Sequence, residues 1–435
     1  MILCLTVFCL TASPFEAAQA SDRSACDFVL LLAQNEFDQA VALFDSNMRR
    51  AAPPAKLGAI WNAQLQATGA FQRICGTRSE VLGPYSAVFV TCQFAKQQLD
   101  VKVVFDKAGK IAGMFFVPTQ KVRQQTGEKL NRDAFKETEI QVGSGKWALP
   151  GTLTVPKNGG PFPAVILVHG SGPQDRDESI GPNKPFRDLA WGLSSKAIVV
   201  LRYEKRTRQY AARFAKNVDN FTVQEEAIAD ALEAVSLLQK NGAVRADRIF
   251  VLGHSLGGML IPRIGQHESA VAGFIIMAAN ARPLEDLILE QTLFQASLAS
   301  DLTTEAKRAV VEVKKRVAAI KDLTNKGASS TMFFGAPKGY WLDLQGYRPV
   351  EAAKAIERPM LIMQGAKDCQ VSCEKDFKEW RRALSEKKDV AFKLYPTLNH
   401  LFMEVDGRST GAEYQQPGNV AAAVVNDIAD WINKQ

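Results

Sequence analysis

Gly253-His254-Ser255-Leu256-Gly257-Gly258 follows the run Arg248-Ile249-Phe250-Val251-Leu252, which sets a glycine-flanked serine at the end of a buried strand. In a strand-to-helix turn of this kind the serine is held under strain, and its neighbours must be small because the turn leaves no room for side chains. The chemistry open to such a serine is acyl transfer. A hydroxyl is a poor nucleophile at neutral pH, so it needs a base within hydrogen-bond reach and a third group to orient that base. The chain has four histidines. His254 adjoins the serine and is expected to point away from it, His169 ends a strand, and His267 falls in the following helix. His400 sits in Thr397-Leu398-Asn399-His400-Leu401-Phe402, a loop after the last expected strand, and is the candidate base. The acid belongs between serine and histidine in chain order, at the carboxyl end of a strand. Asp368, closing Pro359-Met360-Leu361-Ile362-Met363-Gln364-Gly365-Ala366-Lys367-Asp368, meets both conditions. Asp376 in a polar helix and Glu404 beyond the histidine read as solvated surface carboxylates.

Attack on a carbonyl develops an oxyanion, which needs backbone N–H donors: one from the residue after the nucleophile, one from the loop after an earlier strand. Leu256 is the first. The second lies in His169-Gly170-Ser171-Gly172-Pro173, after the strand Ala164–Val168, with Ser171 favoured and Gly172 its close rival.

Eight strands are expected to position these loops: Glu137–Val142, Trp147–Val155, Pro163–His169, Ala197–Tyr203, Arg248–Gly253, Val271–Ala278, Pro359–Gln364 and Ala391–Tyr395. Their alternation with helical patterns predicts an α/β domain over residues 137–435 built on a mostly parallel sheet. Thr222-Val223-Gln224-Glu225 offers a capping box for a helix whose apolar face is Ile228, Ala231, Leu232, Val235 and Leu238. The long interval at about 281–350 holds two helical patterns, Leu284–Leu298 and Thr304–Leu323. Val310, Val313, Val317 and Ile320 line one face of the second, with Lys307, Lys314, Lys315 and Lys321 mostly off it. A helical lid over a cleft, with Trp341 in its wall, is the expectation. Ahead of the linker Gln120–Lys136, residues 21–125 read as a separate small α+β domain of unclear role: a helix over Phe28–Phe44, then strands Phe71–Ile74, Ser86–Phe94, Leu99–Phe105 and Ile111–Val117.

In this order, His169–Pro173 (HGSGP), Arg202–Arg206 (RYEKR), Gly253–Gly258 (GHSLGG), Gln364–Asp368 (QGAKD) and Leu398–Phe402 (LNHLF) resemble the α/β-hydrolase superfamily. The closer likeness is to exported bacterial serine esterases that carry a small helix-and-strand domain ahead of the hydrolase domain. The motifs cover Glu137 to Gln435, and the front domain is similar by architecture alone. The resemblance implies Ser255, Asp368 and His400 as the triad of a carboxylesterase that takes small or medium acyl esters. Such proteins commonly have Asp and Gly where this chain has Glu204 and Thr207, and the charges of that loop either are solvated or meet an anionic substrate. Two rivals are a serine peptidase of the prolyl oligopeptidase kind and a non-catalytic binding protein on a hydrolase shell. Leu256 and a front domain too short for a propeller count against the first, the complete triad and glycine-rich loop against the second.

Composition narrows the setting. The 435 residues are 46% hydrophobic and 23% charged, ordinary for a globular chain, and a net charge of +7 without a basic stripe excludes nucleic acid as the expected partner. An apolar run from Ile2 to Leu10 and the small-residue site Ala18-Gln19-Ala20 read as a signal peptide over residues 1–20, so an exported, periplasmic or secreted protein with no lasting membrane insertion is expected. Cleavage leaves Cys26, Cys75, Cys92, Cys369 and Cys373 in an oxidising compartment, where Cys369 and Cys373 are close enough in sequence to pair. Gly143-Ser144-Gly145-Lys146 lacks the remaining glycine and the Ser or Thr of a phosphate loop. Histidines are too few and dispersed for a metal, so neither metal nor cofactor is expected.

Overall fold

The computed structural model describes residues 14–82, 85–119, 132–214, 221–268, 270–298, 303–324 and 331–435. The chain divides into two compact units, Met1–Lys121 and Val122–Gln435. The apolar run Ile2–Leu10, with Cys4 and Cys9, lies outside the described residues, as does most of the linker; Ala18-Gln19-Ala20 falls within the helix Pro14–Ala33.

In the first unit the expected helix over Phe28–Phe44 is two. The helix Pro14–Ala33 stops before Asn35, whose φ of 62° turns the chain, and Phe37–Ala42 forms a second, short helix. A further helix, Pro54–Thr68, was not anticipated. Strands β1 (Phe71–Leu82), β2 (Tyr85–Phe94), β3 (Gln98–Phe105) and β4 (Ile111–Pro118) form an antiparallel meander in sequence order. Val88, Val90, Cys92 and Phe94 alternate inward along β2 and pack with Phe28, Trp61 and Phe105. Cys92 is therefore buried, whereas Cys75 sits at a bulge between Ile74 and Gly76 and is exposed; both are free thiols.

In the second unit the chain runs β5 (Phe135–Val142), β6 (Leu149–Pro156), β7 (Phe162–Val168), β8 (Val199–Tyr203), β9 (Val244–His254), β10 (Gly273–Met277), the two-residue pair β11 (Met332–Phe333) and β12 (Ala336–Pro337), β13 (Met360–Gly365) and β14 (Val390–Tyr395). Apart from β11 and β12, these strands build one sheet in the order β14-β13-β10-β9-β7-β8-β6-β5, parallel from β14 to β8 and antiparallel at the β6 and β5 edge. The eight-stranded, mostly parallel sheet is as expected, with strand ends displaced by a few residues. Its central strands are apolar throughout because both faces are covered. Ile166, Val251 and Ile276 pack under the helices Ala229–Gln239 and Leu256–His267, and Leu167, Leu252 and Ile275 under Pro185–Ser194 and Ala422–Lys434. The Thr222 capping box is present: the Thr222 N–H and hydroxyl both donate to Glu225 Oε2 (2.9 and 2.7 Å), and a π turn, Gln224–Ile228, precedes the α-helix.

Between β10 and β13 lie the helices Leu284–Ala296 and Thr304–Lys321. Val317 and Ile320 of the second are buried, Val310 and Val313 half-buried, and Lys307, Lys314, Lys315 and Lys321 exposed. Trp341 is buried and donates to the Phe333 carbonyl at 3.0 Å. The insertion is anchored by Arg282, whose Nε and Nη2 donate to Asp376 at 3.0 and 2.6 Å. Asp376 is thus no solvated surface carboxylate. It is 0% exposed and also accepts the Ala281 N–H (3.0 Å), so a guanidinium and a backbone donor compensate its burial.

Candidate active site

Ser255 stands between β9 and the helix Leu256–His267 with φ 54° and ψ −118°, a strained conformation for a residue with a side chain. Its N–H donates to the Met277 carbonyl at 2.9 Å, which ties the turn to β10. The flanking glycines are needed for space: a Cβ on Gly257 would lie 2.3 Å from the Val168 carbonyl oxygen. Backbone cannot yield as a side chain can, so Gly257→Ala is expected to destabilise by about 3 kcal/mol or more, lowering Tm by about 5 °C or more. Gly242→Ala, where a Cβ meets nothing within 4 Å, is expected to leave Tm unchanged. Thermal unfolding of both variants checks this.

Asp368 follows β13 and His400 follows β14, and the two loops interlock. Lys367 N–H donates to the Leu398 carbonyl (2.9 Å), and a Cβ on Gly365 would lie 2.3 Å from that same oxygen. Asn399 shapes the histidine loop by accepting the N–H groups of Leu401 and Met403 at 3.0 and 3.1 Å. His400 Nδ1 then lies 2.7 Å from Asp368 Oδ2, with both residues buried. Gln364 Nε2 donates to Oδ2 (2.8 Å), and the N–H groups of Gln370 and Val371 donate to Oδ1 (2.8 and 2.9 Å). A carboxylate so occupied accepts the Nδ1 hydrogen and leaves Nε2 as the basic nitrogen of His400.

The loop His169–Pro173 runs beside the serine: the Cβ position of Gly170 is 3.1 Å from the Ser255 Cβ, and only a glycine admits that approach. Gly170 is held at both ends, its N–H donating to Glu178 Oε1 (2.6 Å) and its carbonyl accepting Lys205 Nζ (2.7 Å). Lys205 also pairs with Glu226 Oε1 at 2.5 Å, and Tyr340 Oη donates to Glu226 Oε2 at 2.7 Å. The charges of Arg202–Arg206 are therefore neither solvated nor directed at a substrate. Arg202 is paired with Glu137 and Asp177, Arg206 with Asp230, and Glu204 accepts Arg176 Nε at 2.9 Å. These pairs brace the loop beside the serine from below. Sequence reading missed Glu178 and Glu226 and took the charge of Lys205 as solvated or substrate-facing, because charged residues in polar stretches look like solvated surface.

The other histidines separate clearly. His169 is buried against Phe186 and Tyr203 (ring centroids 5.1 and 5.5 Å), and burial pushes its pKa down to about 4. His267 is exposed at the end of its helix. His254 turns from the serine toward His400, with ring centroids 4.7 Å apart.

Beside the acid loop a cavity of about 550 Å³ is lined by Gln291, Gln295, Cys369, Gln370, Thr410 and Tyr414 among others. The expected Cys369–Cys373 disulfide is absent and both thiols are free. Cys369 Sγ faces Tyr414 Oη at 3.9 Å on the cavity side, while Cys373 packs against the hydrophobic core, so the two sulfurs serve different surroundings. Burial raises both thiol pKa values. Among the described residues, no group of three or more His, Cys, Asp or Glu is placed to hold a metal ion, and no helix is long and apolar enough to cross a membrane.

The parallel sheet, the strained serine after its central strand β9 and the buried histidine–carboxylate pair define an α/β-hydrolase of the serine type. The model described as serine aminopeptidase, S33, matches residues 216–406, and one described as a protein of unknown function (DUF3887) matches residues 25–114. The chain is 37% identical to esterase EstD of Thermotoga maritima over 432 residues, 99% of this chain and 100% of that protein. It belongs to the same carboxylesterase family, an α/β-hydrolase domain preceded by a DUF3887 domain. Among solved structures it is similar to Est1E from Butyrivibrio proteoclasticus (14% identity, 68% of this chain and 99% of that one, TM-score 0.45). It is also similar to a Mycobacterium tuberculosis puromycin-hydrolyzing peptidase (15% identity, 82% and 47%, TM-score 0.47).

Proposed function

We propose that the protein hydrolyses carboxylic esters of small or medium acyl groups through an acyl-enzyme on Ser255, with His400 as base and Asp368 as its orienting acid. The observation that carries this reading is the 2.7 Å contact between His400 Nδ1 and Asp368, which leaves Nε2 unprotonated and available to take a proton from a serine hydroxyl brought to it. Ser255 Oγ attacks the ester carbonyl carbon as His400 takes its proton. The carbonyl oxygen becomes an oxyanion received by the Leu256 N–H, at the first position of its helix, and by a second amide from the His169–Pro173 loop. Gly170 N–H is committed to Glu178, so that role falls to the next amide, Ser171, or to its rival Gly172. Collapse of the intermediate expels the alcohol, protonated by His400, and water then cleaves the acyl-enzyme by the same two steps.

The cavity beside the acid loop is lined by neither Ser255 nor His400, so acyl size is decided by measurement. The test is a series of nitrophenyl esters from acetyl to dodecanoyl beside aminoacyl nitroanilides. A kcat/KM maximum at short or medium chains, with a nitrophenol burst equal to the enzyme present, is expected; faster cleavage of the nitroanilides overturns the reading in favour of a peptidase. Export through the leader is part of the same proposal, supported by the apolar run and the small-residue site. Edman sequencing of protein recovered outside the cytoplasm is expected to begin at Ser21, and an intact Met1 there refutes cleavage.

A further inference from the structure

His254 is outside the triad, yet its buried ring joins two parts of the site. Nε2 lies 2.9 Å from the His400 carbonyl oxygen, and Nδ1 lies 3.0 Å from Glu178 Oε2. A carbonyl oxygen can only accept, so Nε2 carries a hydrogen, and Nδ1 faces the Glu178 carboxylate, whose negative charge favours a second hydrogen there. So protonated, the ring is an imidazolium. Its approach to Glu178 falls short of hydrogen-bond alignment, and the two are held as opposite charges. The other oxygen of Glu178 accepts the Gly170 N–H at 2.6 Å, beside Ser255. One continuous path therefore runs from the backbone of His400, through His254 and Glu178, to the loop assigned to the oxyanion.

We infer that His254 and Glu178 are positioning residues, a buried imidazolium–carboxylate brace that sets the His400 loop and the His169–Pro173 loop in fixed register. The inference rests on the proposed roles of Ser255 and His400. Burial, the largest influence, opposes the charge on His254, but the Glu178 carboxylate, the His400 carbonyl and Asp368 together raise the histidine pKa. Burial likewise opposes the charge on Glu178, and His254, His169 and the Gly170 N–H together lower the carboxyl pKa. The other groups acting on the pair are the His400 carbonyl and the Asp368 carboxylate from the loops after β14 and β13, His169 at the end of β7, and Lys205 after β8 through His169. A raised histidine contributes fully below its unfolded value and loses its contribution as pH rises through the folded one; the lowered carboxyl loses its own as pH falls through its folded value. The brace is thus intact between those two limits.

Glu178→Ala and His254→Ala are expected to lower kcat for a nitrophenyl ester by about 100-fold with KM within about threefold, the loss that a displacement near 1 Å causes. Glu178→Gln keeps an acceptor for Gly170 and can donate to a neutral His254, while His254→Gln keeps a donor for the His400 carbonyl. Both are expected to retain kcat within about tenfold, a rescue that a merely space-filling role does not require. In wild-type protein, NMR of ¹⁵N-labelled histidine is expected to show two ring N–H groups on His254 at neutral pH, assigned by their loss in His254→Gln. The inference is overturned if only one ring N–H is present, if the folded alanine variants keep wild-type kcat, or if they raise KM alone. Should the alanine variants not fold, the glutamine variants and the wild-type spectrum still decide, since a glutamine variant as impaired as loss of Ser255 overturns it. If the wild type hydrolyses no ester, the proposed function fails, and the ring protonation still tests the brace by itself.

Discussion

Replacing Ser255 by alanine is expected to lower kcat for a nitrophenyl ester by about 10⁵-fold or more, because members of a triad act as a unit and what survives is binding and oxyanion stabilisation. The fold should persist. Ser255 holds φ 54°, an angle alanine tolerates no better than serine, so the strain stays and Tm should hardly move. Ser255→Gly separates the two effects. It removes the same hydroxyl, yet glycine accepts positive φ without strain, so this variant should be equally inactive and more stable by about 1 kcal/mol or more. Steady-state kinetics and thermal unfolding of both check the pair of expectations. Near-normal turnover in either variant excludes Ser255 as nucleophile, and a Tm lower in the glycine variant than in the alanine one shows that the turn stores no strain.

The sheet and its strands, though not their ends to the residue, were legible because a parallel strand covered on both faces must be apolar along its length, as Ala164–Val168 and Ile249–Leu252 are. The serine, histidine and aspartate were legible for a related reason, each standing where such a run ends. What hides in sequence is the polar group whose neighbour is far along the chain. Glu178 sits in Asp175-Arg176-Asp177-Glu178, a stretch that looks solvated, and only the fold brings it to His254 and Gly170. Asp376 looked like a surface residue until Arg282, 94 positions away, was found against it. The disulfide inferred for Cys369 and Cys373 shows the converse error: closeness in sequence says nothing of which way each side chain faces, and here one faces Tyr414 and the other the core.

These two aspartates give the sharpest test of the site, since both are buried and both hold a cation or potential cation, yet they should fail differently. Asp368→Asn presents an amide N–H to His400 Nδ1 where a carboxylate accepted one. That forces the hydrogen onto Nε2, the nitrogen that must take the serine proton, and kcat should fall by about 10⁴-fold. Gln364 Nε2, which now donates to Asp368 Oδ2, would meet a donor as well, adding an unmade buried hydrogen bond at about 1–3 kcal/mol. Asp376→Asn instead leaves the Arg282 guanidinium with only the half-buried Glu290 as counter-charge at the root of the insertion, a loss of up to about 3 kcal/mol expected in Tm rather than in turnover. Its folded fraction should keep kcat within about tenfold of the wild type, and so should Glu404→Gln, whose side chain is exposed beyond the histidine. Kinetics and melting curves of the three variants measured side by side would show the opposite assignment at once: a crippled but stable Asp376→Asn beside an active Asp368→Asn would make Asp376 the acid, and the 2.7 Å contact at His400 a structural bond.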